Sequence, residues 1–137
     1  ITVDCDVLDA DGGTRTAAIT GGFIALAVAL EGLRKRGVVG KGVLREEVAA
    51  VSVGLFEGSA LLDLCYVEDR DAQVDLNLVA TRTGAIVEVQ GTAEGEPMTR
   101  AEHDALVEVG LRGVATLTQK QLAALDTAGI DVAKLRG

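Results

Sequence analysis

Tryptophan is absent from this 137-residue chain, and one tyrosine and two phenylalanines hold the aromatic share to 2%. Hydrophobic residues still make up 48% of it, with a mean hydropathy of +0.31. That composition argues against disorder and leaves Val, Leu, Ile and Ala to build the core. Positive charge is scarce, 13 Lys and Arg against 21 Asp and Glu for a net charge of −8, which speaks against this chain alone presenting a nucleic-acid-binding surface. The only proline is Pro97, and there are no repeats, low-complexity tracts or proline-rich linkers. The only histidine, His103, has no second His or Cys nearby and reads as a surface residue rather than a metal ligand. Two cysteines, Cys5 and Cys65, show no metal spacing and read as reduced core thiols of a cytosolic protein. The longest apolar run, Ala17–Leu30, is broken by Thr20, Gly21 and Gly22 and falls short of the ~20 residues of a membrane span. A starting methionine is also missing: the chain opens on Ile1 within the strand-like pattern, and a piece of a longer polypeptide is the expectation.

What is present suggests one domain over residues 1–137, long enough to bury a core. Ile1–Leu8 alternates as a strand. The turn "DADGGTRT" opens a helix over about Thr14–Arg36 that is apolar nearly all round and therefore expected to be buried. Arg34, Lys35 and Arg36 suit the negative end of that helix, and Gly37 stops it. Four strand candidates follow, Val48–Leu55, Ala60–Val67, Val74–Thr81 and Ala85–Thr92, joined by short links that read as an antiparallel meander. Thr99 to Glu102, "TRAE", is a capping box opening a helix of three turns or more. A short helical piece is expected after Gly129. The class is α+β.

The acids Glu68, Asp69, Asp71 and Asp75 crowd the link between the second and third strand candidates. In an extended chain Asp69 and Asp75 would stand roughly 20 Å apart. A chain reversal brings them within reach, and the hairpin expected here would set them across its mouth. Asp75 lies inside the strand pattern, sharing a polar face with Asn77 while Val74, Leu76 and Leu78 point the other way. A solvated turn explains the other acids. A carboxylate within a strand calls for a cation or a donor, and a close pair without one raises a pKa. The arrangement suits a hard metal such as Mg²⁺ or a general acid.

"DGGTRT", Asp11–Thr16, is the second candidate. Helix N-termini present unpaired N–H groups to anions. Gly13 allows close backbone approach, Thr14 offers a hydroxyl and Arg15 a charged fork. An ordinary capped helix start with Arg15 in solvent explains the same residues equally well. "EVQGTAEGEP", Glu88–Pro97, ends the last strand in an acidic, glycine-rich loop where Gln90 and Glu94 can line a cleft; alone it signals only a strand end.

Taken together, "CDVLDADGGTRTAAITG" (Cys5–Gly21), "EDRDAQVDLNLV" (Glu68–Val79) and "EVQGTAEGEP" (Glu88–Pro97) resemble ribonuclease PH, in the family's order and spacing and over most of the chain. Polynucleotide phosphorylase and exosome ring subunits share the paired aspartates more loosely. The resemblance is to the C-terminal part of the family's polypeptide. It implies an RNase PH-like β-α-β-α fold with a buried helix, a four-stranded antiparallel meander and a C-terminal helix. It implies a cytoplasmic phosphate-dependent 3′-to-5′ exoribonuclease that trims tRNA precursor 3′ ends, releases nucleoside diphosphates and adds nucleotides in reverse. Gly13, Thr14 and Arg15 match the phosphate-binding Gly-Thr-Arg. Asp69 and Asp75 match the catalytic aspartates, which would hold Mg²⁺ or Mn²⁺, with Asp75 as proton donor to the departing 3′ oxygen and Asn77 a weaker candidate. Inorganic phosphate is the implied co-substrate, RNA the partner, and a homo-oligomer, a hexameric ring, the assembly, with no membrane involved.

Two features depart from the family. Arg70 and Asp71 stand where it mostly carries small residues, and the upstream part, with another phosphate-binding arginine and the basic tRNA contacts, is not in this sequence. A non-catalytic ring subunit is the alternative from another class, and a small anion-binding module, resting only on the Gly-Gly-Thr-Arg turn, is a third.

Overall fold

The computed structural model describes residues 1–137. Its centre is a four-stranded antiparallel sheet of β1 (Val48–Phe56), β2 (Ser59–Leu62), β3 (Val74–Thr81) and β4 (Ile86–Ala93). Helix α1 (Thr14–Lys35) precedes it, a six-residue α2 (Tyr66–Asp71) joins β2 to β3, and α3 (Arg100–Thr127) follows, with a 3₁₀ turn at Val132–Lys134. The α+β class is as the sequence implies, and so are the antiparallel sheet and the C-terminal helix.

Alternation decides which face each strand buries. Ala49, Val51, Val53 and Leu55 of β1 and Val74, Leu76, Leu78 and Ala80 of β3 form one core with Leu106 and Val114 of α3. The capping box is in place: Thr99 Oγ1 accepts from Glu102 N–H at 3.3 Å, and Glu102 Oε2 accepts from Thr99 N–H at 2.7 Å. A second core joins Phe23, Ala27 and Leu30 of α1 to Leu44, Leu125, Ile130, Val132 and Leu135. The C-terminal segment is held there by Glu47, fully buried between Arg82, whose Nε is 3.2 Å from its carboxylate, and Arg136.

Several expectations change. The strand order is β2-β1-β3-β4, so the succession is not a simple meander: β1 lies between β2 and β3. The strand expected over Ala60–Val67 ends at Leu62, because Asp63 takes a left-handed φ of +62° and Leu64 turns inward to a buried position. Residues 1–8 have strand-like alternation but pair with no strand, and Ile1, Val3, Val7 and Leu8 are exposed. Cys5 and Cys65 are exposed free thiols rather than core residues.

The helix expected to be buried all round is buried along one stripe only, with Thr16, Phe23, Ala27, Leu30 and Glu31 inward and Val28 exposed. The reason is its place at an incomplete strand edge. β2 pairs only with Val53–Phe56 of β1 and leaves Val48–Ser52 without a strand on that side. Thr20 Oγ1 fills the gap, accepting from Ala50 N–H at 3.0 Å and donating to Ala50 O at 3.1 Å. Gln121 Nε2 donates to Val48 O at 3.0 Å and Thr20 O at 2.9 Å, and Asp63 N–H to Ser52 O at 2.8 Å. Side chains thus satisfy backbone groups that a strand would otherwise pair. At 22 residues α1 exceeds the apolar run read from the sequence, and by length and composition alone it would suffice to cross a membrane; here its inward stripe packs against protein.

Candidate active site

The opposite face of the sheet carries the candidate chemistry. Cross-strand register sets Ser52, Asn77 and Gln90 in one row, Gly54, Asp75 and Thr92 in the next, and Ala50, Val79 and Glu88 on the other side. The start of α1 sits over this face. Gly13 is the N-cap residue with φ 68°, a left-handed conformation that a glycine adopts without strain, and no side chain caps the helix. Gly12 is required for a different reason: a side-chain carbon there would overlap the Leu64 carbonyl oxygen.

Asp11 ties this turn to the acidic segment. Its Oδ1 accepts from Tyr66 N–H, the first residue of α2, at 2.6 Å across 55 residues of sequence. Asp69 therefore reaches the site from α2, not from a hairpin. The expectation of a β2–β3 hairpin mouth is corrected: β2 and β3 flank β1 on opposite sides and do not pair. The chain does reverse between Asp69 and Asp75, and the two carboxylates feel each other. Burial pushes the Asp75 carboxyl above the usual aspartate range, with the negative charges of Asp69 and then Glu94 adding to the shift. Glu94, read from the sequence as a loop residue, thus belongs to the neighbourhood of Asp75.

Thr14 and Arg15 occupy the first two positions of α1. Arg15 reaches across β3, where its guanidinium donates from Nη2 to both carboxylate oxygens of Glu88 on β4 at 2.8 and 2.9 Å. Both side chains are close to half exposed, so the pair is worth little to stability; its effect is to aim the guanidinium. The unusual turn charges cancel locally, with Arg70 donating to Asp71 at 2.8 and 2.6 Å. That hydrogen bond holds the Asp71 carboxyl below its ordinary range. His103 contacts Asp104 at 3.1 Å at the start of α3.

Asp69 and Asp75 fit a hard divalent cation in one respect and limit it in another. Two like-charged carboxylates without a counter-ion are what such a cation relieves, whereas no cluster of three or more His, Cys, Asp or Glu side chains exists to enclose one. A two-carboxylate donor set suits an ion that keeps waters and takes substrate phosphate oxygens as ligands.

Sequence reading missed Ser52, the pairing of Glu88 with Arg15, and the capping role of Asp11. Ser52 had a signal: in "AAVSVGL" it is the one hydroxyl on the face that otherwise carries Ala50 and Gly54.

Residues 46–113 match the model of the 3′ exoribonuclease family, domain 2. That span contains Asp69, Asp75 and Glu88 and excludes the Gly13–Arg15 turn. Among solved structures, the fold matches the crystal structure of Rrp46 from rice (Oryza sativa) with a TM-score of 0.66 at 19% identity, covering 87% of this chain and 51% of that one. The chain spans about half the length of the rice protein, and at this identity the likeness is one of RNase PH-type fold. The chain belongs to the 3′ exoribonuclease family, of which residues 46–113 are domain 2.

Proposed function

We propose that the chain is the site-bearing part of a phosphate-dependent 3′-to-5′ exoribonuclease that trims the 3′ ends of tRNA precursors. The observation that carries this reading is the hydrogen bond from Tyr66 N–H to Asp11, which brings an uncapped Gly-Thr-Arg helix start and the segment bearing Asp69 to one end of the sheet, beside Asp75. The helix start offers donors for an anion and the neighbouring aspartates concentrate negative charge, which suits a reaction governed by positioning and charge neutralisation.

Gly13 and Thr14 present N–H and hydroxyl donors to inorganic phosphate, and Arg15 supplies a fork aimed by Glu88. A phosphate oxygen attacks the phosphorus of the last phosphodiester. The bond to the 3′ oxygen of the preceding nucleotide breaks, that oxygen takes a proton, for which Asp75 is the proposed donor, and the terminal nucleotide leaves as a diphosphate. The reverse reaction adds nucleotides. Mg²⁺ or Mn²⁺ held by Asp69 and Asp75 would supply charge neutralisation and orientation. With a net charge of −8, this chain leaves most RNA-backbone contacts to another segment or subunit.

The test incubates the intact protein that carries this domain with a short 3′-extended tRNA precursor, with and without inorganic phosphate. Nucleoside diphosphates formed only with phosphate support the reading. Monophosphates regardless of phosphate would indicate hydrolysis, and no product at all would favour a non-catalytic ring subunit.

A further inference from the structure

Ser52 is a buried polar group without a partner, in the one place where a partner would be a ligand. The residue is 2% exposed, and its Oγ neither donates nor accepts a hydrogen bond within the protein. An unpaired buried hydroxyl is destabilising, and in a native fold it calls for an explanation. Its direction supplies one. A side-chain carbon placed on Gly13 would lie 3.2 Å from Ser52 Oγ but 3.9 Å from Ser52 Cβ, so the hydroxyl points at the turn that opens α1. No side chain caps that helix, so its first N–H groups are left for another acceptor. Thr16, the nearest other hydroxyl, is already committed, donating to Gly13 O at 2.8 Å. Arg15 is partly neutralised by Glu88. Neutral donors therefore carry a larger share of anion binding here than the arginine alone suggests.

We infer that Ser52 donates its hydroxyl hydrogen bond to the inorganic phosphate held at the start of α1, as a phosphate-binding residue beside Gly13, Thr14 and Arg15. The inference rests on the phosphorolytic reading and deepens it: the site extends from the helix terminus into β1. The serine stays unpaired in the free protein and gains its acceptor when phosphate arrives.

The experiment compares wild type and Ser52→Ala in the intact protein by phosphate-dependent kinetics and by the thermal midpoint with and without inorganic phosphate. For the variant, the KM for phosphate should rise about tenfold, as expected for losing a hydrogen bond to a charged group, while the KM for RNA stays unchanged. The midpoint in phosphate-free buffer should hold or rise, because only an unpaired hydroxyl is removed, and the phosphate-induced increase in midpoint should shrink. An unchanged phosphate KM with an unchanged phosphate-induced increase would overturn the role of Ser52. So would a lower midpoint in phosphate-free buffer with a normal phosphate response, which marks a structural hydroxyl. A wild-type protein indifferent to phosphate in both measurements overturns the phosphorolytic reading itself, and this inference with it.

Discussion

Asp75 sits inside β3, between Gly54 of β1 and Thr92 of β4, with Asp69 and Glu94 raising the cost of its charge. Substituting it removes a functional group without disturbing the Val74–Leu76–Leu78 side of the strand. Asp75→Asn should abolish nucleoside diphosphate release while leaving the circular dichroism spectrum and thermal midpoint near wild type. Asp69→Asn should cost nearly as much activity; normal turnover by Asp75→Asn would refute the site assignment. Arg15 is held by Glu88 alone, so Arg15→Ala should raise the Michaelis constant for phosphate several-fold and that for RNA less, because the lost guanidinium faced an anion. Unchanged phosphate dependence would make Arg15 an ordinary surface residue.

Among the elements, α1 depends on both its ends. At its start, the backbone of Gly12 lies against Leu64, and a methyl group there would overlap the Leu64 carbonyl oxygen. Gly12→Ala should therefore push the turn away from β1 and destabilise the fold by about 2 kcal/mol, read as a lower denaturation midpoint in urea together with weakened phosphate binding. At its end, the Glu31 carboxylate accepts from Arg34 at 2.7 and 2.9 Å while only 7% of its side chain is exposed. The hydrogen bond from Arg34 holds the Glu31 carboxyl below the ordinary glutamate range, outweighing the opposing effect of burial. A carboxylate with a depressed folded-state pKa adds stability above its unfolded-state pKa and loses it as pH falls through the folded-state value. Glu31→Gln should be less stable than wild type at pH 7, and the gap should close progressively below about pH 4.5. A gap that stays constant down to pH 2 would mean that Glu31 contributes packing rather than charge.

For the whole molecule, exposed apolar surface is the dominant feature. Val28 on α1, Ile86, Val87 and Val89 on the edge strand β4, and Ile1, Val3, Val7 and Leu8 before α1 all face solvent. Edge strands with apolar side chains and unpaired backbone groups invite association. The isolated Ile1–Gly137 chain should therefore self-associate in light scattering. It should also be inactive on RNA with phosphate and Mg²⁺, since a −8 chain repels the polyanion and offers a single arginine at its anion turn. A monodisperse monomer that releases nucleoside diphosphates would contradict both expectations.

The amino-acid order alone determined α1, the start of α3 and the strands β1, β3 and β4 nearly to the residue. Those signals are local: a capping box at Thr99–Glu102, a glycine turn before Thr14, period-2 alternation through Val74–Thr81. It also set the Gly-Thr-Arg turn at the opening of a helix and Asp75 on the polar face of a strand, because turn glycines and period-2 alternation are written in residue type. Only the tertiary structure decided that Asp69 arrives on a short helix, since that depends on Asp11 capping Tyr66 from 55 residues away. It alone decided that α1 buries one stripe, because Thr20 and Gln121 stand in for a strand beside β1. The strand-like alternation of residues 1–8 describes a capacity for pairing, and pairing needs a neighbour that lies elsewhere in space. Ser52 reads as an unremarkable strand serine until Gly13 is folded over it, since whether a hydroxyl is buried and unpaired depends on the groups folded around it.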